Sequence, residues 1–337
     1  MIRYVIRRLI GVAVVLVVIS IITFGIFYLL PSNPALNACG KGCNPATLKA
    51  IEVKLGIDKP VFLATDSQYV TYVKGIFVGR DFPNGGSAGV KIPHCDAPCL
   101  GFSFTTDNQV LPILKDRFPV TFSIAIGAAV LWLIFGTAIG ILSALRKGSF
   151  FDRAAMSIAL GGVSLPSYFT ALLALSVVVF KLHWLDYPQY ANFTDGVGPW
   201  AKNLMLPWLT LAFLYSALYA RLTRANMLET MGEDYIRTAR AKGLPENKVI
   251  AKHGLRAALT PIVTIFGLDL GGLLGGAILT ESVYGMPGMG KLAIESITKT
   301  DYPIILGVTL IAAFFIVMAN LVVDILYAFV DPKVQYS

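Results

Sequence analysis

Charged side chains are scarce in this chain. They make up 14% of its 337 residues, against roughly 25% in a soluble protein, and the deficit is concentrated in blocks. Leu9–Leu30, Phe118–Leu145, Ala154–Phe180 and Asn203–Ala220 contain no Asp, Glu, Lys or Arg. Ala257–Thr280 and Tyr302–Val330 contain one each, Asp269 and Asp324. About 20 apolar residues suffice to cross a bilayer core, whereas helices of soluble proteins average ~10–14 residues. Six such blocks exclude a soluble domain and predict six transmembrane helices in an all-α, polytopic membrane protein.

Other absences narrow the function. Only His94, His183 and His253 occur, none of them in an apolar block, which argues against a metal path through the membrane and leaves no metal site to assign. There is no HExxH and no membrane-embedded Ser/His pair, and Asp269 and Asp324 sit at different apparent depths, so an intramembrane protease lacks its catalytic set. No internal repeat is visible, which counts against secondary transporters built from inverted halves. The first block is longer than the ~7–15 residues of a signal-peptide core, and no A-x-A site follows it. It is expected to stay in place as a signal-anchor helix.

What charge there is follows a pattern. The net charge of +8 reflects membrane orientation rather than nucleic-acid binding. Arg3, Arg7 and Arg8, then Arg146, Lys147 and Arg153, then eight Lys and Arg between Arg221 and Arg256 mark three cytoplasmic stretches, because basic residues accumulate in short inner loops. Both termini are therefore expected in the cytoplasm, with segments 31–117, 181–202 and 281–301 outside. The predicted spans are about 9–30, 118–145, 154–181, 203–222, 258–281 and 302–330. The chain divides into 1–117, the first helix with a long extracytoplasmic loop, and 118–337, a core of five helices with a cytoplasmic loop over 223–259.

Within the long loop, Asn44, Pro45 and Gly56 read as N-cap, first helical residue and stop of a short helix, and Tyr69–Val78 as a second. Residues 81–104 are rich in Gly and Pro and read as irregular. All four cysteines lie in this loop, as CGKGC (Cys39, Cys43) and CDAPC (Cys95, Cys99). An oxidising compartment makes disulfides the first reading. Three pairings are possible, two of which would clamp the Gly/Pro insertion to the front of the loop as a lid. The alternative is a metal site with His94 as an extra ligand, for which zinc sites more often show the closer C-x2-C spacing.

The stretch GMPGMGKL, Gly285–Leu292, has the spacing of a phosphate-binding loop. It lacks the preceding strand, and Leu292 stands where Ser or Thr would hold Mg²⁺. A tight Gly/Pro turn on the outer side is the better reading. In the fifth block, Gly271 and Gly275, like Gly272 and Gly276, are spaced for close helix packing. Asp269 is by default a pathway candidate, with a structural partner in the bundle as the equal alternative. Asp324, near the inner end of the last block, reads as a structural anchor.

The inner segment contains RTARAKG, nine residues, then HGLR. Glu233–Lys242 has helical spacing, with Tyr235, Thr238, Ala239 and Lys242 near one face, and Gly243 stops it. This segment resembles the coupling loop of ABC-importer permeases, whose pattern is Glu-Ala-Ala, three residues, Gly, nine residues, Ile-x-Leu-Pro. Arg237, Thr238 and Ala239 take the first three positions and Gly243 the glycine. RYVIRRLIG, KLGIDKP, GGVSLPSYFTALL, GGLLGGAILTESVYGMPGMGKL, DYPIILG and NLVVDILYAFVDPKV resemble the dipeptide/oligopeptide/nickel branch of that family.

The resemblance implies a type I importer permease in the inner cell membrane that moves di- or oligopeptides by alternating access. It also implies a second homologous permease, two ATPase subunits carrying the ATP and Mg, an extracytoplasmic peptide-binding protein, and no cofactor on this chain. Glu233, Asp234, Tyr235, Arg237, Thr238, Ala239, Lys242 and Gly243 would couple to an ATPase. Asp269, Gly272, Gly276, Glu281, Tyr284 and Pro287 would line or gate the path. The alternatives are a same-fold permease for nickel or another small solute, and a proton-coupled secondary transporter using Asp269 and Asp324.

Overall fold

The computed structural model describes residues 2–29, 34–39, 43–62, 64–81 and 94–330. Among these, the regular structure is helical, with isolated bridges only at Arg80–Cys95 and Phe102–Gln109. Five helices are long and apolar enough to cross a membrane, and a bent pair makes up to six spans.

The first span, α1 (Ile2–Leu29), leads into the long loop, which holds α2 (Pro34–Cys39), α3 (Pro45–Leu55) and α4 (Gln68–Val78). Asn44 caps α3, its side chain accepting from Thr47 N at 2.7 Å, and Gly56 ends it at φ +70°. Then come α5 (Val110–Leu145), α6 (Phe150–Ser164) and α7 (Ser167–Ala174), the last continued by a π-helical stretch to Lys181. The fourth span is α8 (Val197–Gly232). A short α9 (Asp234–Ala241) and α10 (Glu246–Lys248) follow, and a second π-helical stretch, Val249–Gly254, runs into α11 (Leu255–Leu274). The chain closes with α12 (Ile278–Val283), α13 (Met289–Thr298) and α14 (Tyr302–Val330). The long loop and the α12–α13 hairpin share one end of the bundle, called here the loop side. The other end, which bears α9, is the arm side.

Several boundaries differ from the expected ones for identifiable reasons. The third span is not one helix over 154–181: the chain turns by 104° between Ser164 and Ser167. Pro166 lacks an N–H and disfavours helical backbone at Leu165, which is extended at ψ 132°. The fifth span does not reach residue 281. It ends at Leu274, where Gly276 turns at φ +137°. The second and fourth spans are each 36 residues long, at 1.5 Å per residue longer than a ~30 Å hydrocarbon core. The first ten residues of the expected inner loop, 223–232, are thus the end of α8.

The central core packs α5 and α8 against α7 and α11 around Trp132, Tyr219 and Tyr284, all fully buried. Small residues let α5 and α8 meet: a Cβ at Gly136 would lie 2.7 Å from Tyr219 Cβ, and one at Gly140 2.6 Å from the Ala220 carbonyl. A second cluster on the loop side joins Phe24 of α1, Tyr72 of α4, Leu114 of α5, Met289 of α13 and Leu306 of α14. At the arm side, Arg8 of α1 pairs with Asp324 of α14 at 2.8 Å.

Candidate functional site

The structure sorts the expected pathway residues into two groups. Asp269 and Gly272 lie three apart on α11 and so share a face. A Cβ at Gly272 would meet nothing within 4 Å. Asp269 is half-buried and accepts a hydrogen bond from Tyr219 Oη at 2.8 Å. This pair is held by a ring cluster in which Trp132 stacks on Tyr215 at 4.5 Å. The opposite face of α11 carries Gly267, Gly271 and Gly275. Cβ atoms there would lie 2.2 Å from Val323 Cγ2, 2.8 Å from Ala319 Cβ and 2.6 Å from Ala312 Cβ, so this stripe is the seam with α14. The anticipated equivalence of the two glycine pairs therefore fails: Gly271 and Gly275 pack, whereas Gly272 is open and Gly276 lies beyond the helix.

Gly276, Glu281, Tyr284 and Pro287 form the second group, on the α12–α13 hairpin. Glu281 and Tyr284 are both 0% exposed, so in this conformation neither lines an open path. Glu281 is the centre of a cradle. Its Oε1 accepts from Thr121 Oγ1 at 2.8 Å and Ala277 N at 3.1 Å, and its Oε2 from Lys291 N at 2.9 Å. Burial pushes its carboxyl above the ordinary range, and these donors, with Gly290 N–H, pull the other way.

GMPGMGKL therefore does hold an anion, but the anion is the protein's own carboxylate. The N–H groups at the start of α13 point at Glu281 as such groups point at a phosphate elsewhere. Glycines allow the approach. A Cβ at Gly288 would lie 2.4 Å from Glu281 Cδ, and one at Gly290 2.7 Å from Ile278 Cα. Thr121 Oγ1 in turn accepts from Met289 N at 2.8 Å, and Arg117 Nη1 donates to the Pro287 carbonyl at 3.3 Å. Tyr284 Oη lies 2.6 Å from Thr210 Oγ1 and donates to the Ala171 carbonyl at 3.4 Å. The hairpin is thereby tied to α5, α7 and α8.

On the arm side, Glu233 is extended and separates α8 from α9. Asp234, Tyr235, Arg237, Thr238, Lys242 and Gly243 are exposed. Ala239 is not part of that surface. It is 6% exposed and packs with Ile236 and Val249, both at 0%; as the i+3 neighbour of Ile236 it lies on the inward stripe. Gly243 has φ +75°. Gly243 N donates to the Arg240 carbonyl at 2.9 Å and Leu244 N to the Ala239 carbonyl at 3.4 Å, the two bonds of a Schellman end. A two-pronged Arg240–Glu246 pair, 2.6 and 3.1 Å, spans the turn.

Two further carboxylates were not singled out from the sequence. Asp152, 3% exposed, takes Arg224 Nε on one oxygen at 2.6 Å and Arg224 Nη2 on the other at 2.8 Å, together with Ser143 Oγ and Gly148 N. It joins α5, α6 and the arm-side part of α8. The Ser149-x-x-Asp152 spacing of a capping box was the available signal. Asp301, 1% exposed, accepts from Ser103 Oγ, from Phe104 N at 2.9 Å and from Thr105 Oγ1 at 2.8 Å. It fastens the long loop to the start of α14.

The cysteines close locally, Cys39 to Cys43 and Cys95 to Cys99. Neither bridge joins the two motifs, so the lid clamped by cross-pairing is not what forms. His94 turns to Asp81, with Nδ1 2.6 Å from Oδ1, and this hydrogen bond raises its pKa.

Comparison with known proteins agrees with this architecture. Residues 136–336 match the model of the binding-protein-dependent transport system inner membrane component, and residues 1–125 that of its N-terminal region. The chain is 35% identical over 337 residues to the glutathione transport system permease protein GsiC of Escherichia coli (strain K12), covering 100% of both. It is 34% identical over 333 residues, 99% of both chains, to a Brucella abortus (strain 2308) protein named, provisionally, a peptide transport system permease. The solved structure of the inward-facing MetNI methionine ABC transporter matches at TM-score 0.50 and 15% identity, over 66% of this chain and 97% of that one, a likeness of fold. This favours an ABC permease over a proton-coupled transporter. The chain belongs to the inner-membrane-component family of binding-protein-dependent transport systems, as an ABC importer permease.

Proposed function

We propose that this permease carries short peptides into the cell, driven by ATP hydrolysed on separate subunits. The observation that carries the reading is end-to-end similarity to peptide and glutathione permeases. The arm side faces the cytoplasm and the loop side faces a peptide-binding protein. A second, homologous permease completes the path, and two ATPase subunits sit against the arms.

In this reading the exposed face of α9, with Tyr235, Arg237, Thr238 and Lys242, seats in a cleft of one ATPase. Ala239 and Ile236 hold α9 to the rest of the arm, so that a displacement of α9 is passed on through Val249 to α11 and through Glu233 to α8. ATP closure draws the arms together only to the extent that it binds one arrangement better than the other. Peptide loading outside and ATP closure inside are then linked reciprocally. On the loop side, the Glu281 cradle keeps the hairpin attached to α5 as the helices swing, and the open α11 face at Asp269 and Gly272 meets the solute. Asp269 suits the ammonium end of a peptide.

Gentle extraction of the tagged chain tests the assembly: a second permease and two ATPases are expected to co-purify. A solitary chain that transports in a proton gradient would refute it. Uptake of a labelled dipeptide, dependent on the binding protein and competed by other peptides but not by nickel, tests the cargo.

A further inference from the structure

The segment 182–196 joins the third span to α8 on the loop side. Its inner residues are firmly placed: Leu185 and Tyr190 pack on the central core, and Pro188 is buried. Two contacts to α8 set its height. Lys202 Nζ lies 2.8 Å from Asp186 Oδ2, and Gln189 N donates to Asn203 Oδ1 at 3.2 Å. Lys202 and Arg221 bound the charge-free stretch of α8. At 1.5 Å per residue they stand about 28 Å apart along the helix, which matches the ~30 Å of a hydrocarbon core. Lys202 therefore marks the loop-side edge of that core. The segment runs along this edge instead of rising away from it. His183 turns through the left-handed region at φ +51°, and Trp184 N still donates to the Val178 carbonyl at 3.0 Å, so Trp184 stays at the end of the third span. Phe193 meets Trp200 edge-on, with ring centroids 5.2 Å apart, which keeps it close to the height of Lys202.

What the segment turns outward is apolar and aromatic. Trp184 is 73% exposed and Phe193 57%, and Leu182 and Tyr187 are exposed with them. Phe180, at the end of the third span, is 62% exposed, so this surface continues the exposed apolar surface of that span. Lys181, His183 and Asp186 are interleaved and also exposed. Charges among the rings exclude deep insertion into hydrocarbon, and the rings are a poor match for water. The combination suits the boundary between the two, where Trp and Tyr collect because the ring is apolar and its N–H or O–H is polar.

We propose that segment 182–196 is a lipid anchor. Trp184, with Leu182 and Phe193, inserts between the acyl chains and the headgroups of the loop-side leaflet. The surface is thus covered by the bilayer, and not by a docked binding protein or by the second permease. The partner is lipid, so the proposal does not depend on what the permease carries.

The test uses tryptophan emission from the full chain, purified with its co-assembling subunits into phosphatidylcholine nanodiscs. Among the four tryptophans Trp184 alone is exposed. Trp132 is fully buried, and Trp200 and Trp208 donate to Ser123. Subtracting the spectrum of Trp184→Phe isolates the Trp184 emission. Lipid brominated on the acyl carbons nearest the glycerol is expected to remove most of that emission, with the binding protein absent or present. Phe193→Trp on the Trp184→Phe background is expected to restore a component that the brominated lipid quenches. No quenching of Trp184 by brominated lipid would overturn the proposal. With quenching by aqueous iodide that result would place the segment in water, and without it, against another subunit. Loss of the lipid quenching when the binding protein is added would overturn it as well, by assigning the surface to that protein.

Discussion

Gly243 offers the sharpest test of how the arm works. Its backbone is left-handed, at φ +75°, and a Cβ there would meet nothing within 4 Å. Any penalty from substitution is therefore one of backbone conformation and not of crowding. A left-handed residue other than glycine costs about 1–2 kcal/mol. Asparagine tolerates the region best and a β-branched residue worst. The arm rests on a small cluster, Ile236, Ala239 and Val249 with Met231 and Leu244, so a penalty of this size competes with what holds α9 in place. A shift of ~1–2 kcal/mol changes a two-state population about 5–30-fold. The expected order of uptake is wild type, Gly243→Asn, Gly243→Ala, Gly243→Val, with the last reduced about tenfold or more on that scale. Membrane insertion should be equal in all four. The assay is uptake of a labelled dipeptide by cells lacking other peptide importers, normalised to the permease present in the membrane. Unchanged uptake in Gly243→Val would refute the coupling role. Uptake lost equally in Asn and Val would refute the backbone argument, because it would mean that a docked subunit occupies the space beside Gly243.

Four further outcomes follow from the geometry. Glu281→Gln places an amide N–H₂ against convergent N–H donors and forfeits charge-assisted bonds of about 1.5–3 kcal/mol each; melting of the purified complex should fall, and Gly290→Ala, which drives a Cβ into α12, should fall with it. Arg224→Gln should abolish uptake, and Arg224→Lys should restore little of it, because an ammonium does not span both oxygens of Asp152 as a guanidinium does; full rescue by lysine would show that charge alone suffices. Opening either disulfide with serine should lower stability by about 2 kcal/mol on chain-entropy grounds for so short a loop, and peptide mapping of the oxidised protein should find 39–43 and 95–99 linkages and no cross-pairs. The Asp81 hydrogen bond raises the His94 pKa, so this contact favours the folded state at pH below the ordinary histidine value of ~6.5 and its contribution fades as pH rises through the raised value; an NMR titration should show His94 above the ordinary value and Asp81→Asn should bring it back.

Much of this architecture is written locally in the sequence. Charge-free blocks declare membrane spans because a bilayer core penalises every charge, and that penalty is local to the sequence. Asn44, Pro45 and Gly56 declare a helix because caps act over three or four residues. RTARAKG with its downstream HGLR marks an arm for a similar reason: a short helix, a left-handed glycine and a second helix are consecutive in the chain. Contacts between residues far apart in the chain leave no such local mark. Asp152 meets Arg224 72 positions away, and Asp301 meets Ser103 198 positions away. The stripe shared by Ile236 and Ala239 follows from their spacing within α9; that Val249 is what the stripe packs on does not.

The sequence by itself determined that the chain is a helical membrane protein with a polar arm, because hydropathy and backbone propensity act residue by residue. Only the tertiary structure decided what the GMPGMGKL turn is for. Its N–H groups are poised for an anion in any context, and no local rule names which one. Packing α12 against α13 places Glu281 there, closing the site with the chain's own carboxylate and converting a nucleotide-like motif into a clasp between the hairpin and α5.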